Sequence, residues 1–485
     1  MSAEALVIKT RAGRPAELTP ADLDALAARA AAAPRLVLHF HGGLVSEAKG
    51  RGIAADLDPV YRAADALPIF VVWCSGLQET VANHLSQIAA EEIFQRMLRW
   101  TVRYTVGWAR GAGPGERSFP GLSLPPAHDV DLELSARRAG REPYAGLTAD
   151  GDRPDLSAGD EADFRHEMGS DEELARQWAA VRGPGDPAAR GGSGAGGPAT
   201  TTHMDPEVLA ELTGGGDGAG SRGALGTSLL VIRCGSALRR VIRRLRAGTD
   251  HGLYPTVVEE LLRAFYLSYA GGAVWAAMKR DALDTFGPGG AGTAFLDRLA
   301  GEIARTGAAP EITLVGHSTG AVFINNLLTA PDRCRLGPPV RTVAFLAPAC
   351  TTRDYAAALS ESADHLSRFR MFTMDDAHER ADRLAGALYP RSLLYLVSGV
   401  LERDAEDAYR CTPLVGLARY LEPRAADGDD ERSVRRFLVE PAARRVVLSP
   451  GGDAPGLRAA ATRHGDFDDD PAVRDSLRHL IGPGR

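Results

Sequence analysis

Cysteine is scarce in this chain: five in 485 residues, at Cys74, Cys234, Cys334, Cys350 and Cys411. They are scattered, odd in number and without close paired spacing, which argues against a disulfide framework and a cysteine-based zinc site and favours a reducing interior. Long apolar runs are lacking too. The longest, Ala264 to Met278 between Arg263 and Lys279, falls short of the roughly 20 residues that cross a bilayer. Nor is there a charge excess that would draw the chain to nucleic acid or anionic membrane, since the net charge is −7 with a pI near 6.0. Met1 to Arg11 is short and mixed, and the Ala-rich run behind it carries Asp22, Asp24 and Arg29. That composition predicts a helix, not a signal peptide. The expectation is a cytoplasmic protein with no transmembrane segment, and no internal repeat is visible.

With 44% hydrophobic and 25% charged residues, the chain can bury a sizeable core. Short apolar runs bounded by turn signals recur at Ala5 to Ile8, Leu36 to Phe40, Ile69 to Trp73, Ile312 to Val315, Thr342 to Leu346, Phe369 to Thr373 and Arg444 to Leu448. These read as strands. Helical patterns lie between most of them, such as Ala21 to Ala32 opened by Thr19 and Pro20, and Ala294 to Arg305. Alternation of this kind predicts an α/β fold, a mostly parallel sheet sandwiched by helices.

A long stretch breaks the alternation. Between Trp73 and Ile312 the patterns Val81 to Trp108 and Ser228 to Phe286 are apolar and helical, and Asp160 to Arg182 has near-helical spacing of Phe164, Met168, Leu174 and Trp178. Two glycine-rich runs, Gly191 to Gly197 and Gly214 to Gly220, cannot bury enough apolar surface to offset chain entropy. The expected organisation is a core of residues 1–76 and 289–485, with 77–288 inserted as a helical cap that contains a flexible glycine-rich segment at about 183–226.

Chemistry concentrates at Gly316-His-Ser-Thr-Gly320. The four mostly β-branched residues Ile312 to Val315 precede it and the helical run Ala321 to Leu328 follows, which is the strand, turn and helix setting of a G-x-S-x-G nucleophile elbow. The serine of such a turn sits in a strained conformation, so the flanking positions must lack bulk, as Gly316 and Gly320 do.

In these residues the chain resembles the α/β-hydrolase superfamily, from Leu36 to the C-terminal helix but not through the insertion. The resemblance implies an esterase- or lipase-like serine hydrolase with a nucleophile, acid, histidine order and an oxyanion hole after an early strand. Leu36-Val-Leu-His-Phe-His-Gly-Gly-Leu44 looks like that loop, so Gly43 and Thr319 N–H are the implied oxyanion donors beside Ser318. The catalytic histidine is expected after the last strand, where His464 stands in Thr462-Arg-His-Gly-Asp-Phe-Asp468. The acid is expected after the strand before that, at Asp375 or Asp376. Asp376 stands further into the turn and is preferred, although with Glu379 it also makes a capping-box pattern. Asp354 and Asp382 are less favoured.

No cofactor is implied. His39 and His41 lie on one strand without a nearby carboxylate in sequence, and are read as hydrogen-bonded core residues more readily than as metal ligands. A carboxylic ester, small or lipidic, is the default substrate. A phospholipase or acyl-lipid hydrolase in peripheral contact with membranes is an alternative, favoured by the basic run Leu238 to Arg246. More often such a run is a solvated helix with one packed side. A catalytically idle hydrolase scaffold is the third reading, and oligomeric state is left open.

Overall fold

A computed structural model describes residues 5–73, 78–111, 122–148, 153–182, 201–214, 222–330, 340–362, 368–386, 388–403 and 410–482. Cys74, Cys334 and most of the glycine-rich stretch lie outside them.

Among the described residues eight strands form one sheet: β1 (Leu6–Arg11), β2 (Arg14–Pro15), β3 (Arg35–Phe40), β4 (Leu67–Trp73), β5 (Glu311–His317), β6 (Val340–Leu346), β7 (Arg368–Met374) and β8 (Val446–Ser449). Their order is β2-β1-β4-β3-β5-β6-β7-β8. Every pairing is parallel except the two-residue edge between β1 and β2. Seven of these eight coincide with the apolar runs of the sequence to within a few residues. β2 is too short to leave a periodicity.

Alternation along the strands divides the core between two faces. Leu36, Leu38 and Phe40 of β3 with Ile312 and Leu314 of β5 look to one side, packed under the helices Pro20–Ala32, Ala291–Thr306 and Gly320–Thr329. Val37 and Val315 look to the other, against Ile53, Leu57 and Tyr61 of the helix Glu47–Arg62 and Val473 and Leu477 of the helix Pro471–Ile481. Local signals begin these helices where expected. Thr19 closes a capping box with Asp22 ahead of Pro20, and Asp470 caps the last helix by accepting Ala472 N–H ahead of Pro471.

The stretch between β4 and β5 is helical, with more breaks than its periodicity suggests. Val81 to Trp108 divides into Gln78–Ala90 and Glu92–Arg110. The break is at Glu91, whose carboxylate takes Thr202 Oγ1, His203 and the Tyr266 hydroxyl. Asp160 to Arg182 divides into Ala158–Gly169 and Glu172–Arg182 at Asp171, which accepts Glu173 N–H and Leu174 N–H. The apolar run Ala264 to Met278 turns through a single wide turn, Ser268–Gly272, in which Gly271 takes φ 119°, before Ala273–Thr285. A further helix, Pro206–Gly214, lies inside the stretch expected to be flexible. Their apolar side chains, Met97, Trp178, Leu238 and Val257 among them, join the same cluster as Leu38 and Phe40 of the sheet.

The arginine-rich run packs its apolar side, with Leu238, Val241, Ile242 and Leu245 buried, and its partly exposed arginines are ion-paired. Arg240 and Arg244 meet Glu260 at 2.6 and 2.9 Å, and Arg239 meets Glu161 at 2.6 Å. Arg243 meets Asp155 at 3.3 Å, and Arg246 donates to Arg153 O. Among the described residues no helix is long and apolar enough to cross a membrane.

Candidate active site

β5 ends at His317, and the helix Gly320–Thr329 begins after two intervening residues. Ser318 occupies the corner between them with φ 51°, a left-handed conformation that costs a side-chain-bearing residue on the order of 1–3 kcal/mol. The surroundings hold it there. Ser318 N–H donates to Leu346 O at 2.8 Å, and Ser318 O accepts Ala349 N–H at 3.0 Å, both from the end of β6. A Cβ at Gly320 would collide with Phe40 O, and one at Gly316 would stand 2.7 Å from Gly320. Strand and helix cross closely enough only because both are glycine.

The expected oxyanion pair comes together. The loop after β3 lies over the elbow: a Cβ on Gly42 would be 3.5 Å from Ser318 Cβ, and one on Gly43 would be 2.5 Å from Thr319 Oγ1. The same added atom would be 2.8 Å from Met278 Sδ, so the helix Ala273–Thr285 of the insertion reaches this loop. Thr319 is the residue before the helix's first turn, where N–H groups lack partners within the helix.

His464 is where the sequence expects the histidine. Its Nε2 stands 2.9 Å from Ser318 Oγ, and both residues are about 4% exposed. With Nε2 accepting the serine proton, Nδ1 carries the imidazole hydrogen. Burial, then the nearby charge of His317, pulls His464 down to about 3, against the attraction of Asp468. The site therefore holds a neutral base.

Neither expected acid meets that base. Asp375 caps the helix Asp376–Ala381, accepting both the N–H and Nδ1 of His378 at 2.8 and 2.9 Å. Capping thus falls to Asp375 and not to Asp376, whose carboxylate accepts the Tyr395 hydroxyl at 2.6 Å. His464 Nδ1 is buried with no hydrogen-bond partner among the described residues. The carboxylate that touches His464 is Asp382, which accepts its main-chain N–H at 2.8 Å. Asp354 lines a polar cleft of about 430 Å³ with Lys279, Thr351 and Glu402.

A second ionisable cluster lies behind the elbow. His317 Nδ1 is 2.7 Å from Asp468 Oδ2, and its Nε2 is 3.0 Å from the main-chain oxygen of His464. His39 approaches the other oxygen of Asp468 at 3.9 Å, with its Nδ1 on the Tyr61 hydroxyl at 2.9 Å. His41 Nδ1 donates to Gly42 O at 2.7 Å and its Nε2 accepts Trp73 N–H at 3.2 Å. Burial holds His39 and His41 down to about 4. These rings share one sheet face because positions 37, 39 and 41 alternate with 38 and 40, as 315 and 317 do with 314 and 316.

Among the described residues, one trio has metal-ligand spacing, the buried His251, Glu259 and Cys411. The Arg244 guanidinium faces both Glu259 and Cys411 and already supplies the cation that a metal would bring. The aromatic residues of the apolar run Ala264 to Met278 have partners of their own: Tyr266 meets Glu91, Trp275 N–H donates to Glu402 at 3.0 Å, and Tyr269 stacks on His84 and His203.

Comparison with family models, curated proteins and solved structures finds no match to this chain. What class it belongs to is therefore argued from the arrangement of Ser318, His464 and the two glycine loops.

Proposed function

We propose that the chain is a serine hydrolase of the α/β-hydrolase type that cleaves a carboxylic ester through an acyl-enzyme on Ser318. The observation that carries this reading is the 2.9 Å contact between Ser318 Oγ and His464 Nε2 at a corner with positive φ. In that arrangement His464 takes the serine proton as Oγ attacks the ester carbonyl. Charge on the carbonyl oxygen meets the Thr319 and Gly43 N–H groups at the mouth of the following helix. Collapse of the adduct breaks the ester C–O bond, and His464 returns the proton to the departing alcohol. Water activated by the same histidine then releases the acid.

The paired arginines of Leu238 to Arg246 weaken the anionic-membrane alternative, since their charge is spent on internal carboxylates. An idle scaffold has no need of a strained serine against a neutral histidine. The test is labelling of the full chain by a fluorophosphonate with mass-spectrometric mapping. Adduct at Ser318, lost in Ser318→Ala, is the expected result, and an unlabelled wild-type chain would leave the scaffold reading in its place.

A further inference from the structure

We propose that His317, protonated on both ring nitrogens with Asp468 as counterion, is a positioning residue that fixes the general base His464 through its main-chain carbonyl. The inference rests on the hydrolase reading for the word base, and on hydrogen-bond chemistry for the rest.

A main-chain carbonyl can only accept, so the 3.0 Å contact between His317 Nε2 and His464 O requires a hydrogen on Nε2. An ionised carboxylate also only accepts, so the 2.7 Å contact between Nδ1 and Asp468 Oδ2 requires a second. The remaining arrangement places that shared proton on Asp468. Imidazole is the stronger base by roughly 2–3 pH units in water, so the shared proton rests on His317. The groups facing His317 are His39 from β3 and His41 just after it, and His464, Asp468 and Asp469 from the C-terminal loop, with the Phe467 ring at 6.3 Å. Burial works against a charge on His317, but the charge and hydrogen bond of Asp468 and the His464 carbonyl outweigh it and raise its pKa. Burial likewise opposes the Asp468 anion, and His317, then His39 and His41, hold it well below the carboxylate range.

His464 is then clamped at both main-chain groups, with N–H on Asp382 and C=O on His317. A triad would hold the ring through Nδ1, which here has no partner among the described residues. Orientation of the imidazole comes from its backbone. The cation also stands behind the base, with ring centroids 5.5 Å apart, so a second proton on His464 meets like charge.

Two readings test this on the full-length protein. Ring nitrogen-15 NMR of histidine-labelled chain, assigned by through-bond correlation of each ring to its own backbone, should show both His317 nitrogens protonated at pH 7.5 and one deprotonated in Asp468→Asn. The rate of fluorophosphonate labelling at Ser318 should keep its acid limb below the ordinary imidazole range in the wild type. In His317→Gln that limb should move up by about 1–3 pH units, because repulsion is lost while the attraction of Asp468 remains. One unprotonated His317 nitrogen in the wild type at pH 7.5, or an unmoved limb in a folded His317→Gln, would overturn the proposal. Failure to label wild-type Ser318 would sink the hydrolase reading and the base role together. Labelling with an unmoved limb sinks this inference alone, and the wild-type spectrum decides it even if His317→Gln does not fold.

Discussion

Ser318 and His464 act as a unit, so their losses should not add. Ser318→Ala and His464→Ala are each expected to lower ester turnover at least roughly a thousandfold, and the double variant should be no worse than either. Steady-state assays on p-nitrophenyl esters of graded chain length check this; additive losses would mean that the two do not share a step. The three aspartates after β7 separate by what they touch. Asp382→Ala leaves the His464 N–H without its acceptor and should cut turnover roughly tenfold or more by loosening the base. Asp375→Ala should instead lower stability by about 1 kcal/mol, as loss of a helix cap does, and leave turnover near wild type. A reversed pattern would return the acid role to Asp375, one of the two residues expected from sequence order. That order named Ser318, Gly43, Thr319 and His464, which the fold brings near one another; the first three follow from local patterns at strand ends, and His464 from its place after the last strand. It missed Asp468 and ranked Asp382 among the less favoured acids. Asp468 is one of four acidic residues between Asp466 and Asp470, and only the path of the loop selects it. His317 sits inside the recognised motif, yet its role depends on a carboxylate 151 positions away. The alternation of His39 and His41 onto the face of His317 was a readable signal for a polar cluster.

At the scale of elements, the helix Asp376–Ala381 buries Glu379 completely, with one oxygen on Ser392 Oγ and the other without a partner among the described residues. Burial, with Asp382 and Asp376 adding like charge against the Ser392 bond, raises its pKa to about 8. The folded chain therefore keeps a proton that the unfolded chain releases near pH 4.5. Stability from this group is full below that pH and declines as pH rises towards 8, at up to about 1.4 kcal/mol per pH unit. Glu379→Gln should flatten the decline, so that thermal melts of variant and wild type agree near pH 5 and the variant melts higher at pH 8.5. Equal melting at both pH values would mean that the carboxyl is ionised in place. Sequence periodicity located the strands well, since period two survives burial on both faces. It overran the helix breaks at Glu91 and Asp171, where a carboxylate collects several N–H and O–H groups in place of a glycine or proline signal.

For the molecule as a whole, the buried Arg244 joins the insertion to the C-terminal part of the chain. It faces Glu259 and Glu260 on one helix and Cys411 near the other end of the sequence, and Tyr389 and His251 complete the shell around Glu259. Arg244→Met should cost about 3–5 kcal/mol, since two buried carboxylates lose a shared cation. Urea unfolding measures this, and a loss under about 1 kcal/mol would mean that Arg240 and Arg263 suffice. One continuous cluster of apolar side chains runs from the sheet through the insertion, so the wild type should unfold in a single transition, and two separated ones would contradict that continuity. The borders of the sheet bear on a different matter, the behaviour of the protein at high concentration. A parallel sheet of this width offers unpaired N–H and C=O groups to other chains along its two outer strands. Here one border is the two-residue β2 and the other is the four-residue β8, followed by Pro450, which has no N–H to offer. Strand-to-strand aggregation therefore finds only short templates at these borders, the longer being the part of β1 that β2 leaves uncovered.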